Sequence, residues 1–198
     1  MARIITASGH GGKDVGAVNG KIWEKNLNWD LTIEFGKIME NNFECEIINI
    51  QPSLTNMNVD FRQDLYGTIN EANRLHNIKP INLYLSFHTN SSVDKKAHGY
   101  ESFVHHSSKG KIADSYRNQI HNHIAGFLKQ YGITNRGCKT ANFAELRQTH
   151  MKAILFENMF ISNEKEVNLL INKEFIHKLA NEYAYIVAQV LNLKRKVK

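Results

Sequence analysis

Apolar and polar positions alternate along the chain in two rhythms. Short runs rich in β-branched and aromatic residues, such as Arg3-Ile4-Ile5-Thr6-Ala7, Ile81-Asn82-Leu83-Tyr84-Leu85-Ser86-Phe87 and Ala153-Ile154-Leu155-Phe156, have the length and bounding residues of buried strands. Longer stretches with apolar residues three and four apart read as amphipathic helices. The pattern predicts a strand over 3–9, a helix around 23–42, a strand over 45–50, a helix around 60–78, and strands over 81–88 and 99–105. A long helix follows at about 109–131, then a short strand within 137–147, a strand over 152–157 and a closing helix near 164–192. Strands separated by helices imply an α/β fold in three layers, with a mixed, mostly parallel twisted sheet of about six strands flanked by helices. The successive strands 81–88 and 99–105 are expected to form an antiparallel element. The segment 51–59 is the clearest connector; it reads as a surface loop, with the border of a substrate groove as the alternative.

Length and composition narrow the class. With 198 residues and 42% hydrophobic content, the chain suits one compact domain, expected over 1–192, with 193–198 as a basic tail or the start of a linker. No apolar stretch approaches the ~20 residues needed to span a bilayer, so no membrane partner is expected. Met1-Ala2-Arg3-Ile4-Ile5 enters the first strand without the charged leader and apolar run of a secretory signal. The expectation is therefore cytoplasmic synthesis, with release by another route if the protein acts outside the cell. Net charge is +6, but Lys194, Arg195, Lys196 and Lys198 supply four positive charges, and without them the balance is 21 minus 19. A basic face with interleaved aromatics, the footprint of a nucleic-acid binder, is missing. Cys45 and Cys138 are too few for a disulfide scaffold and have no zinc-ribbon or redox spacing.

Candidate chemistry gathers at the ends of the three apolar runs. The first leads into Ser8-Gly9-His10-Gly11-Gly12-Lys13-Asp14-Val15-Gly16-Ala17, the second into His88-Thr89-Asn90, and the third into Glu157-Asn158. In open α/β sheets, ligands sit in the crevice beyond the carboxyl ends of strands, so the three ends would converge. Zinc accepts imidazole nitrogen and carboxylate oxygen, and hydrolytic sites commonly use three protein ligands. His10 and His88 supply two. For the third, spacing leaves two carboxylates open: Glu24, in the first turn of the helix that follows, where the helix dipole alone would also favour an acid, and Asp14. A carboxylate at the end of an apolar strand, as Glu157 is, needs a partner; Arg147 and Lys152 could provide an ordinary ion pair, and a metal-activated water the functional one. The other histidines, His121 and His123 among them, lack partners at strand ends and are expected to be surface or core residues.

The ordered set His10-Gly11-Gly12-Lys13-Asp14-Val15-Gly16-Ala17, Glu24, Ser86-Phe87-His88-Thr89-Asn90, Arg136-Gly137, Asn142-Phe143-Ala144-Glu145-Leu146-Arg147 and Glu157-Asn158-Met159-Phe160-Ile161-Ser162-Asn163 resembles the zinc-dependent N-acetylmuramoyl-L-alanine amidases of the amidase-3 class. These are found in bacterial cell-wall hydrolases and phage endolysins, and the resemblance spans essentially the whole chain. It implies hydrolysis of the amide between N-acetylmuramic acid and the L-alanine of the stem peptide, with peptidoglycan as partner and Zn2+ as cofactor. It also implies His10, Glu24 and His88 as metal ligands and Glu157 as catalytic acid/base, which selects Glu24 over Asp14. Asp14 then falls behind His10, with Asn90 and Arg147 as donors on the substrate side, and a wall-binding module could follow the catalytic unit. Two positions depart from the family pattern: Met159, where a small residue is usual, and Glu145, where an apolar residue is common and where a change at the groove rim is expected. The runner-up is a zinc peptidase or carboxypeptidase acting on the stem peptide. A metal-free wall-adhering domain is opposed by the intact ligand set, and a nucleotide-binding domain by the lack of G-x-G-x-x-G and P-loop patterns.

Overall fold

A computed structural model describes residues 1–50 and 61–197. The expected connector 51–59 lies outside the described residues. In chain order the elements are β1 (Ala2–Ser8), β2 (Val18–Asn19), β3 (Ile22–Trp23), α1 (Glu24–Asn42), β4 (Cys45–Asn49), α2 (Phe61–Ile78), β5 (Leu83–Asn90), β6 (Tyr100–His105), α3 (Ile112–Lys129), β7 (Asn135–Ala141), α4 (Ala144–Gln148), β8 (Ala153–Phe160), α5 (Glu164–Leu170) and α6 (Lys173–Val190).

Six strands form one sheet in the order β4-β1-β5-β8-β6-β7. All neighbours are parallel except β6 and β8. The fold is thus the three-layer α/β sheet the pattern implied. The central strands β1, β5 and β8 are almost wholly buried, as parallel strands covered on both faces must be. Because side chains alternate along a strand, each central strand feeds two cores. Ile4, Leu83, Leu85, Phe87, Ile154 and Phe156 join the larger core with α1, α3 and α6. Ile5, Ala7, Tyr84, Ala153 and Leu155 join the smaller one, with Ala72 of α2 and Leu146 of α4.

Four local features differ from the sequence pattern. Strands β5 and β6 are not partners: β8 lies between them, and the antiparallel pair is β6 with β8. The region 137–147 divides into β7 and the short α4. The closing helix is two helices, because the Asn163 carboxamide caps α5 and the Asn172 carboxamide caps α6 by accepting from Phe175 N, a role asparagine fills well at helix starts. The fourth is a hairpin absent from the sequence pattern: β2 and β3 turn through Gly20 at φ 58°. At the other end of the molecule, Lys194 O accepts from Glu44 N and Lys196 N donates to Asn42 O, so the last residues lie along the end of α1. No helix among the described residues is long and apolar enough to cross a membrane.

Candidate functional site

Adjacency in the sheet brings the three strand ends together. Ser8 of β1 is in register with Phe87 of β5, and His88 of β5 with Glu157 of β8. Glu157 is also paired across β6–β8 with Glu101. By strand alternation His88 and Glu157 project from the same face as Tyr84 and Leu155, over the smaller core. A cavity of about 330 Å³ opens there, lined by His10, His88 and Glu157 with Leu65, Thr68, Phe143, Glu145 and Leu155.

His10, Glu24 and His88 form a cluster in which one donor atom from each lies within 4.8 Å of the others. His10 follows β1 in a left-handed conformation, φ 65°, a geometry that costs a non-glycine residue about 1–2 kcal/mol. Asp14 fixes it, with Oδ2 2.6 Å from His10 Nδ1, inside a turn closed by two backbone hydrogen bonds between Gly11 and Asp14. That leaves His10 Nε2 facing Glu24 Oε2 at 3.3 Å. Glu24, the first residue of α1, is 5% exposed; it accepts from Ala17 N, Thr89 N and the Asn28 carboxamide. His88 Nδ1 is 3.4 Å from Glu24 Oε1. The two rings meet edge to face with centroids 5.3 Å apart.

This closeness explains two glycines. A Cβ on Gly9 would stand 2.2 Å from the His88 ring, and one on Gly16 2.7 Å from both Glu24 Oε2 and the His10 ring. The glycines make room for the clustered side chains themselves.

The electrostatics follow from the contacts. Burial disfavours the Glu24 charge, but hydrogen bonds and charge from His10 and His88 outweigh it and hold the carboxyl well below the usual range. His88 has the reverse balance: burial opposes its charge, and Glu145 and Glu24 raise it well above an ordinary imidazole. Glu157 has no such compensation. Burial, joined by the negative charges of Glu24 and Glu101, pushes its carboxyl up to about 7 against the pull of His88. Among the described residues its Oε2 is buried without a hydrogen-bond partner, and neither Arg147 nor Lys152 forms an ion pair with it.

Asp14 therefore joins the cluster, whereas two other expected site residues point elsewhere. The Asn90 carboxamide donates to Glu101 Oε1 at 2.8 Å. The Arg147 guanidinium is hydrogen-bonded to the backbone and side chain of Asn142. Two residues beside the cluster have no role in the sequence pattern, and a third, Glu145, has a different place from the one expected. Asn28 is buried one turn beyond Glu24, where it donates to Gly9 O and accepts from the Thr89 hydroxyl; the i to i+4 spacing from Glu24 was its only signal. Glu101 is held by Arg136, Lys139 and Asn90. Glu145 is 7% exposed, so it does not stand at the groove rim: it accepts from Tyr84 and Ser86 and faces His88.

Met159, the other departure, is fully buried at φ 66°. It sits beside a register shift between β5 and β8, which is why a small residue suits the position better. His121 stacks on Tyr100 and is hydrogen-bonded to Ser102 and Asn135, and His123 pairs with Glu182, so both are satisfied by partners outside the cluster.

Comparison with known proteins gives a consistent result. The family described as N-acetylmuramoyl-L-alanine amidase, Amidase_3, matches residues 4–189. The endolysin of Bacillus phage SPP1 is 30% identical over 198 residues, covering 99% of this chain and 69% of the relative. The sporulation-specific N-acetylmuramoyl-L-alanine amidase of Bacillus subtilis (strain 168) is 31% identical over 195 residues, covering 98% of this chain and 70% of the relative. Among solved structures, the catalytic domain of CwlV, an N-acetylmuramoyl-L-alanine amidase from Bacillus (Paenibacillus) polymyxa var. colistinus, superposes with a TM-score of 0.83 at 28% identity, covering 98% of this chain and all of that one.

Proposed function

The chain belongs to the amidase-3 family of N-acetylmuramoyl-L-alanine amidases, and from that premise we propose that His10, Glu24 and His88 hold one zinc ion with Glu157 as the acid/base beside it. The reaction is hydrolysis of the amide between N-acetylmuramic acid and the L-alanine of the peptidoglycan stem. The observation that carries the site assignment is the cluster of two imidazoles and one carboxylate next to a buried, unpaired carboxylate on the neighbouring strand.

The donor set fits zinc. Zinc accepts imidazole nitrogen and carboxylate oxygen, and one such donor from each of the three residues lies within 4.8 Å of the others. When bound, zinc supplies a Lewis acid that polarises the scissile carbonyl and acidifies a water. The chain's own residues supply the proton path. Glu157 Oε2, buried and without a hydrogen bond among the described residues, takes a proton from the attacking water and returns it to the nitrogen of the departing L-alanine. Burial and the neighbouring Glu24 and Glu101 charges make this carboxyl easier to protonate than an exposed one, which suits a group that must accept a proton and give it back. Leu65, Phe143 and Leu155 give the cavity an apolar wall, which limits competing water around the carboxylate.

The chain spans 69% and 70% of the length of the two curated relatives, and a wall-binding module as companion to a catalytic unit over 1–192 is part of this proposal. The test of the reaction is direct. Purified walls incubated with the protein, with and without chelator, should release new L-alanine amines without new reducing sugars, and only when metal is present. Release of terminal D-alanine or of internal peptide amines would assign the protein to the stem-peptide hydrolases instead.

A further inference from the structure

Strand β5 presents Tyr84, Ser86 and His88 in a row on one face, as alternate residues must lie. Glu145, in the first turn of α4, is buried against that row. Its Oε1 accepts both the Tyr84 hydroxyl at 2.7 Å and the Ser86 hydroxyl at 3.0 Å. Its Oε2 is left facing His88 Nε2 at 3.4 Å, and that nitrogen is buried with no hydrogen bond among the described residues. The opposite ring nitrogen, Nδ1, faces Glu24. Gly9 lies flat against the ring, where no Cβ could fit, so the ring cannot turn over freely.

We propose that Glu145 is a positioning residue for His88: it holds the Nε2 proton and thereby presents the Nδ1 lone pair to the metal. The inference rests on the zinc-site reading above. It makes His88 the counterpart of His10, where Asp14 takes Nδ1 and leaves Nε2 for the metal. Each ligand imidazole is thus backed by its own carboxylate, on opposite nitrogens. Such partners fix ring orientation and raise ligand basicity, and their loss typically costs about 10–100-fold in metal affinity.

Two substitutions separate this role from simple packing. Glu145→Gln keeps an acceptor for Tyr84 and Ser86 but turns an NH2 toward Nε2. That nitrogen must then accept, which moves the ring proton onto Nδ1, the ligand atom. Glu145→Val removes the partner without inverting the tautomer. Zinc affinity measured by chelator competition should fall about 100-fold for Gln and about 10-fold for Val; the metal-free Gln variant, which keeps an acceptor for Tyr84 and Ser86, should melt close to wild type, whereas the Val variant, which leaves both buried hydroxyls without one, should melt lower. In the zinc-loaded wild type, nitrogen NMR of labelled histidine should find His88 bound through Nδ1 and protonated at Nε2. Binding of zinc through Nε2, or zinc affinities for both variants within about twofold of wild type, would overturn the role of Glu145 while leaving the zinc site standing. If a variant does not fold, the wild-type spectrum decides. A wild type that takes up no zinc would remove both readings together.

Discussion

At the scale of single residues, the site separates two kinds of carboxylate by their surroundings. Glu24 is surrounded by donors and stays ionised; Glu157 is buried beside other negative charges and is pushed up to about 7. Replacing Glu157 by Gln should therefore preserve zinc content, measured by elemental analysis, while wall hydrolysis drops about 10²–10⁴-fold, the usual worth of a general acid/base. The same shift has a stability consequence in the metal-free protein. Because the folded-state value lies above that of an exposed carboxyl, 4.5, ionisation of Glu157 opposes folding. The penalty is absent below about pH 4.5 and complete above about 7. Metal-free Glu157→Gln should thus melt higher than wild type at pH 8 and show much less advantage at pH 5. Added zinc should move the Glu157 carboxyl titration, followed by carbon NMR, downward from about 7, since a nearby cation favours the ionised form.

Elements succeed here by how closely they approach. The loop after β1, the start of α1 and the end of β5 bring His10, Glu24 and His88 together only because Gly9 and Gly16 leave those side chains space that a methyl group would fill. Gly9→Ala should displace the His88 ring, destabilise the fold by about 1–3 kcal/mol as overpacking does, and weaken zinc binding by at least about tenfold; denaturant melts and chelator competition would measure the two effects. Gly16→Ala adds the strain of φ 67° to its collision with Glu24 and His10. The bulge after Glu157 is held from outside: the Glu166 carboxylate of α5 accepts from Phe160 N and Gly99 N, which ties β8 to the entry of β6. None of these approaches is visible in a hydrophobic pattern, because a glycine next to a ligand and a glycine in a surface turn read alike in one dimension.

For the molecule as a whole, the two cores on either side of the sheet are independent of the metal cluster, which sits at the strand ends. Chelation should therefore abolish hydrolysis but leave the far-ultraviolet dichroism nearly unchanged. Zinc should raise the melting temperature by mass action, with about 2.7 kcal/mol of stabilisation when free metal is 100 times its dissociation constant. The sequence by itself determined the layered α/β class, the central apolar strands, and the presentation of His10, His88 and Glu157 at their ends, because buried parallel strands write long apolar runs and a polar terminus interrupts them conspicuously. It also carried Glu24, through the family pattern. Only the tertiary structure decided that β8 rather than β6 lies beside β5, that the closing helix is two, and that Asn28, Glu101 and Glu145 surround the cluster. Strand order and side-chain approach depend on contacts between residues far apart in the chain. A buried glutamate on a short helix, such as Glu145, looks like any surface acid until the strand it faces is in place.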